Sequence, residues 1–507
     1  MRAGAGPVVA AVAACAAALA PPGAAGYGAA GAASTAARGA WTVYHGDPEG
    51  TGAVGGPSFA GATAAWTSPV LDGQLYGEPL ETGGRVLVAT ENDTVYALAA
   101  GSGRVLWHRH LGTPVPASSL PCGDISPTVG ITSTPVVDRS LDEIFVVADE
   151  EISGAPAHVL VGLDVATGRR LLRRPVDPPG ASTAALLQRA GLALDRGRVL
   201  VGFGGNFGDC STYHGWLESV PAAGRGPVAR FEVDGGPGQS QGAIWMGGAA
   251  PEVDPSGSIW LAAGNGSTTT GDAPYDNSDS VLELSPSLAP EQVFAPADWY
   301  ADNAYDRDLG SSAPALVGSH VVQAGKSQTA YLLDRSALGG TGGQRASVPV
   351  CPGGDVDGGD AVDAGVVYLP CRRGLEALRV GGPSPGLTVA WQATSGAVGP
   401  PIVAGGLVWS MGGATLYGLD PSTGARVAAL DVGLPANHFP TPSVGDGLLL
   451  ADAASQVHAF AGADGVPGPA VRRSPSEAGR EGQAEVLEAH EQAPGGQGHA
   501  EHHRDPS

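Results

Sequence analysis

One motif returns along this chain, and that repetition restricts the fold more than any other feature. A clear copy runs from Gly399-Pro400-Pro401-Ile402-Val403 through Gly406-Leu407-Val408-Trp409-Ser410 to Leu416-Tyr417-Gly418-Leu419-Asp420-Pro421-Ser422-Thr423-Gly424, and ends in Arg426 to Leu430. An earlier copy spans Gly77-Glu78-Pro79-Leu80 to Gly103 and Trp107, and a third spans Thr134-Pro135-Val136-Val137 to Gly168. Each reads as strand, turn, strand, turn, strand, tight Gly turn, strand: four short antiparallel strands in about 40 residues. Weaker copies begin near Leu192, Ala250, Ala313, Asp360 and Thr441, and the last, Thr441 to Gly462, lacks a fourth strand. The segment Ala64 to Val70 has the character of that missing strand. The expected fold is therefore all-β: an eight-bladed β-propeller of four-stranded antiparallel blades, its ring closed by an N-terminal strand. Closure of this kind removes the two exposed sheet edges that an open array of sandwiches would keep. The 80 Gly, 42 Pro and 15% charged residues fit many tight turns.

The ends of the chain do not repeat. Residues 1–25 read as an export signal, with Arg2 in a basic n-region, an apolar run from Val8 to Ala20 and small residues at Ala24-Ala25. That run is too short for a comfortable membrane span. The stretch Val12-Ala13-Ala14-Cys15 is similar to a lipobox, so the alternative to secretion is a lipid anchor on Cys15. Residues 26–40 are a low-complexity linker, 41–462 the propeller, and 463–507 a polar tail expected to be disordered. Its cluster of His499, His502 and His503 reads first as solvated tail. With Cys15 gone, Cys122, Cys210, Cys351 and Cys371 remain, and an even count in an exported chain suggests two disulfides with three possible connectivities. Cys351 and Cys371 are close and flank a strand-like run, which favours that pair and leaves Cys122 with Cys210. A net charge of −23 argues against nucleic acid or an anionic bilayer as partner.

Residues outside the repeat must carry any chemistry. The repeats resemble those of pyrroloquinoline-quinone (PQQ) dehydrogenases, a quinoprotein alcohol dehydrogenase-like superfamily that also includes a non-catalytic scaffold of outer-membrane barrel assembly. Several non-repeat segments are similar to the enzymes' active site, in the same chain order. Gly204-Gly205-Asn206 resembles a segment that supplies a calcium ligand, and Ala243-Ile244-Trp245 one whose Trp stacks on the quinone. Ala263-Gly264-Asn265, with Gly271-Asp272 and Asp276-Asn277 after it, resembles a segment whose Asn binds calcium. Tyr305-Asp306-Arg307-Asp308 resembles the segment that gives the general-base carboxylate and, in lanthanide enzymes, an extra ligand. Lys326, the chain's only lysine, resembles the basic residue bonded to the quinone oxygens.

The resemblance thus implies PQQ on Trp245 and Lys326, calcium or a lanthanide on Asn206, Asn265, Asp306 and Asp308, and Asp306 as catalytic base. The residue types suit that chemistry. A flat indole face stacks on a fused quinone, a hard cation takes oxygen donors, and a carboxylate accepts the hydroxyl proton. The substrate implied is a small alcohol or sugar, with a separate electron acceptor, because no Cys-x-x-Cys-His haem motif occurs. Two departures favour the alternative, an extracellular scaffold or binding module for a protein or glycan. The adjacent cysteines typical of the enzymes are missing, and Asn206 stands where they have a Glu. Each residue also has a plain structural role available: Trp245 as blade packing, Asn265 before Gly266 as a turn, Asp306 and Asp308 as solvated loop. Asp355, Asp357 and Asp360 imitate a calcium-loop spacing without a full loop.

Overall fold

A computed structural model describes residues 40–381 and 386–463. The export signal, Cys15, the linker up to residue 39 and the tail from residue 464 lie outside the described residues. The repeats form eight antiparallel blades. Blade 1 comprises Leu80–Thr82, Arg85–Thr90, Thr94–Ala99 and Val105–His110. Blades 2 to 8 begin at Val136–Asp138, Ala193–Asp195, Glu252–Val253, Ala315–Val317, Ala361–Asp363, Ile402–Ala404 and Ser443–Gly445, close to the starts the repeats predicted. In blade 8 the fourth strand is Thr63–Thr67, paired antiparallel with Gln456–Ala461, so the N-terminal strand does close the ring. It stops at Thr67, short of the expected Val70. Both disulfides take the favoured pairing, Cys122–Cys210 and Cys351–Cys371. Among the described residues no helix is long and apolar enough to cross a membrane.

The middle strands are apolar on both faces because each blade lies between two others. In Arg85–Thr90, Val86 and Val88 pack with Leu450 and Val457 of blade 8, while Leu87 and Ala89 pack with Ile144 and Val146 of blade 2. The two-residue side-chain period thus feeds alternate residues into different inter-blade cores. The fourth strands form the rim, and Arg170–Pro175 is mostly solvent-facing.

A second device locks three interfaces. The Asp-x-x-Thr-Gly turn ends in a left-handed glycine, φ +68° at Gly424, and a Cβ there would lie 2.5 Å from Cε3 of Trp391 on the preceding blade. The indole lies flat on the turn, and its Nε1 donates to Pro421 O at 2.9 Å. Trp107 meets Gly168, and Trp66 of the closing strand meets Gly103, in the same way. Only glycine permits both the φ and the contact.

The segment Trp41–Val54, which carries no repeat, fills the ring axis. It exchanges backbone hydrogen bonds with Glu81 of blade 1 and is met by the backbone N–H groups of Val137, Val253, Val362 and Val403, from the first strands of blades 2, 4, 6 and 7. Ala53–Val54 then pairs in parallel with blade 7. Those first strands therefore surround the axis, and the plug satisfies their inward polar groups.

Candidate functional site

Strand direction decides which loops meet. The first strand of each blade runs from one end of the ring and the second returns. Inter-blade connections and second-to-third-strand hairpins therefore share one end, and the Trp-capped turns share the other. A cavity of about 880 Å³ lies at the first end and is lined by those connections and hairpins. That volume is within the usual range for small-molecule sites, about 300–1,000 Å³.

The six residues to which the resemblance assigns a cofactor, metal or catalytic role all line this one cavity: Asn206, Trp245, Asn265, Asp306, Asp308 and Lys326. They form an arc. Asn206, Asn265 and Lys326 come from the hairpins of blades 3, 4 and 5; Trp245 and the two aspartates come from the connections between those blades. Their side chains interlock. Asp306 Oδ1 accepts from Asn265 Nδ2 at 2.8 Å and from Lys326 Nζ at 3.1 Å. Asp308 Oδ1 accepts from the Asn265 backbone N–H at 2.7 Å, and Asp308 Oδ2 pairs with the Lys326 ammonium. Lys326 Nζ is 5.4 Å from the Trp245 ring centroid, a cation–π contact.

The two aspartates differ in setting. The Asp306 side chain is 74% exposed toward the cavity, whereas that of Asp308 is 9% exposed. Burial pushes the Asp308 carboxyl above its usual range while Lys326 pulls it back. Burial alone would lower Lys326, but Asp308 and Asp306 outweigh it and hold its pKa above the ordinary lysine value. The ammonium therefore stays charged. Asp306 takes up φ +52°, a left-handed conformation that Asp tolerates better than most residues and that turns its carboxylate out of the loop. Gly264 completes the cradle, since a Cβ there would lie 2.4 Å from Asp308 Oδ1 and 3.1 Å from Trp245 Nε1.

The plain structural readings divide. Trp245 is half-buried against the blade 3 core and also forms cavity wall. Asn265 does shape its hairpin, yet its Oδ1 is buried with no partner. Asn206 donates Nδ2 to Ala184 O at 2.9 Å. Asp276 and Asn277 only brace the blade 4 hairpin, through Ser278 and Val233 O. The calcium-loop imitation separates: Asp355 and Asp357 line the cavity, while Asp360 faces His45 and Glu252 beside the axial plug. Asp355 pairs with Arg372 at 3.4 Å. Burial raises Asp357 to about 6, with Lys326 opposing. Among the described residues, the one group of three His, Cys, Asp or Glu ligand atoms within 4.8 Å of one another is Cys351, Cys371 and Glu376, and its cysteines are joined to each other.

Sequence reasoning missed several other residues of the cavity wall. Arg189, Tyr213, His438 and Phe439 all line the cavity. Phe439 lies 5.9 Å from Trp245 between centroids, and Arg189 packs 5.5 Å from Phe439 and 5.9 Å from Tyr76. His438 pairs with Asp124 at 3.3 Å, and Tyr213 donates to Asp209 at 2.7 Å. The Cys122–Cys210 bridge stands at the rim, with Gly208 and Asn206 beside Cys122. A signal for Arg189 did exist, namely a cation just ahead of a first strand, where connections enter this end of the ring.

A family model described as outer membrane protein assembly factor BamB matches residues 60–204. No curated protein matches the chain by sequence. Among solved structures, the quinohemoprotein alcohol dehydrogenase of Pseudomonas putida HK5 is similar at a TM-score of 0.65 and 15% identity, covering 86% of this chain and 82% of that one. The quinohemoprotein alcohol dehydrogenase of Comamonas testosteroni gives 0.63 and 15%, covering 84% and 81%. BamB from Moraxella catarrhalis gives 0.52 and 13%, covering 79% and 99%. At these identities the likeness is one of fold.

Proposed function

We propose that this chain, an eight-bladed β-propeller similar in fold to quinohemoprotein alcohol dehydrogenases, is an exported protein of the PQQ-like propellers that uses its end cavity as a divergent quinone-dependent site to oxidise an alcohol or sugar. The observation that carries the reading is convergence. Six residues spread from Asn206 to Lys326 face one cavity, and four of them share one hydrogen-bond and ion-pair network.

The residues present fit a planar quinone better than they fit a second cation. Trp245 offers a ring face, and Lys326 Nζ stands above it as a donor to a carbonyl oxygen. For a metal, the orphaned Asn265 Oδ1 is a suitable donor. Asp306 and Asp308, however, are both already paired with the Lys326 ammonium, which would compete with a cation for their oxygens. No step is therefore assigned to a metal. A quinone bound on Trp245 would supply the two-electron acceptor. Asp306, held by Asn265 and Lys326 and open to the cavity, takes the substrate hydroxyl proton at a carboxylate oxygen. Buried Asp308 fixes Lys326 and the Asn265 backbone, so the ammonium would be held in place to donate to a quinone bound on Trp245. Electrons leave to a separate carrier. Two disulfides suit an oxidising compartment.

The second reading, an extracellular scaffold or binding module, draws on the same ion pairs: a carboxylate satisfied by Lys326 needs no substrate. It also draws on the BamB match and on the missing adjacent cysteines and Glu. Quinone-dependent turnover by the purified protein separates the two. Turnover that vanishes in Asp306→Ala supports the enzyme, and full activity in that variant removes the base assignment.

A further inference from the structure

Six arginines form one path along the outer wall of blades 1 to 3. Arg109 Nε, on the fourth strand of blade 1, donates to Gly168 O of blade 2 at 2.9 Å, and Arg169 and Arg170 follow that glycine. Arg174 Nη2, farther along the blade 2 fourth strand, donates to Gly226 O of blade 3 at 3.0 Å. Arg198 Nη2 reaches the next carbonyl, Pro227 O, also at 3.0 Å, and Arg225 precedes the two. Arg109, Arg169, Arg170 and Arg225 are exposed; Arg174 and Arg198 are half-buried. Among the described residues none of the six has a carboxylate within 4.0 Å. Asp164 and Glu143 act on Arg169 from farther off, Asp195 on Arg198, and Glu218 on Arg174. Two of those carboxylates are shared, Asp195 with Arg196 and Glu218 with Arg230. Within this set, the six arginines and these two face four carboxylates.

The positive charge is local. Residues 104–110, 169–174 and 225–230, the outer-wall segments of blades 1 to 3, hold eight arginines and no Asp or Glu, in a chain of net charge −23. The fourth strands of blades 4, 6 and 7 show no such excess. Pro290–Ala295 and Leu387–Gln392 hold no arginine, and Arg426–Asp431 holds one together with one aspartate. The repeat alone therefore does not call for these side chains. Like charges held this close repel one another, a cost that a bound polyanion removes. We propose that this wall binds a linear anionic polysaccharide, its acidic groups resting on successive guanidiniums, which take such groups in bidentate pairs. A chain fits better than a folded partner, because the path crosses two blade interfaces on the convex side of the ring. A sugar chain fits better than a nucleic acid, because no exposed Phe, Tyr or Trp lies along the path to stack a base; the exposed apolar side chains there are Leu106 and Leu171. None of the six arginines lines the end cavity, so the wall stands with either reading of the function.

The test follows the fluorescence anisotropy of labelled polygalacturonate oligomers titrated with the purified protein, with labelled dextran as the uncharged control. Saturable binding of the acidic chain, none of dextran, and a weakening of about tenfold or more between about 50 and 200 mM salt are expected. The triple variant Arg169→Gln/Arg170→Gln/Arg225→Gln removes three exposed charges, and should weaken binding by about tenfold or more at an unchanged melting temperature. Arg379→Gln/Arg426→Gln, on blades 6 and 7, should bind as the unaltered protein does. No saturable binding of polygalacturonate, equal binding of dextran, or undiminished binding in the folded triple variant would each overturn the proposal. Equal or tighter binding of a labelled thymidine oligonucleotide would also overturn it, in favour of a nucleic-acid surface. The triple variant should titrate with PQQ as the unaltered protein does, so the wall and the quinone reading fail separately.

Discussion

The ring has two kinds of blade. At the interfaces of blades 8 and 1, 1 and 2, and 6 and 7, a tryptophan lies on a turn glycine and donates to the next blade's backbone. Blades 3, 4 and 5 have no such contact among the described residues; at the corresponding glycine of blade 3, Gly224, the neighbour is Leu172. Those same blades carry the elaborated hairpins and connections, from Gly205 to Trp216, Ala263 to Ser280 and Ala295 to Ala315. Regular turns at one end of the ring brace the interfaces, while irregular loops at the other line the cavity. Repetition is relaxed around the cavity, the pattern expected if a function is grafted onto a scaffold.

Perturbing each kind of blade should give opposite results. The largest effect belongs to the site arc: Asp306→Ala should lower quinone-dependent turnover by about 10²–10⁴-fold and change stability by less than about 0.5 kcal/mol, because its side chain is exposed. Equal losses in rate and melting temperature would erase the division. Next comes the lock. Trp391→Ala should cost about 3 kcal/mol in urea unfolding and leave cavity titrations unchanged, since Trp391 is at the far end; altered ligand affinity would show that the two ends are coupled.

The disulfides sharpen the same contrast. Cys122–Cys210 closes 88 residues and Cys351–Cys371 closes 20. Loop-closure entropy then makes removal of the first costlier by about 1 kcal/mol in paired Cys→Ser variants. The reverse order would mean that local packing governs. The smallest effect is a pH dependence. Burial raises folded Asp357 to about 6, against about 3.9 unfolded. Between those values the folded state binds more protons, so this group's contribution to stability falls as pH rises through the window. Asp357→Asn should therefore gain on the order of 1 kcal/mol at pH 7 and nothing at pH 3.5. A gain that does not vary with pH would contradict the assignment.

Much of this was legible in the sequence, for a physical reason. Blade strands and turns obey periodicity and φ constraints that recur, so Gly103, Gly168 and Gly424 announce themselves together. The arc from Asn206 to Lys326 was readable because its residue types match a known chemical task in chain order. The plug Trp41–Val54 was not, since it is held largely by backbone hydrogen bonds that impose no pattern on side chains. Arg189, His438 and Phe439 were missed because they sit on single inter-blade connections, where only the closing of the ring brings them to the same cavity as Trp245. Asp360 was misleading for the converse reason: three residues from Asp357, it lies beyond the turn into blade 6 and faces the axis instead.

The central claim is that the arc forms one quinone site. It is tested most directly by calorimetric titration of the protein with PQQ, with and without calcium or a lanthanide. The account predicts one saturable site that is lost in Trp245→Ala while the melting temperature stays close to that of the unaltered protein. No binding under any metal condition, or undiminished binding in Trp245→Ala, would contradict it and leave the propeller as a binding scaffold.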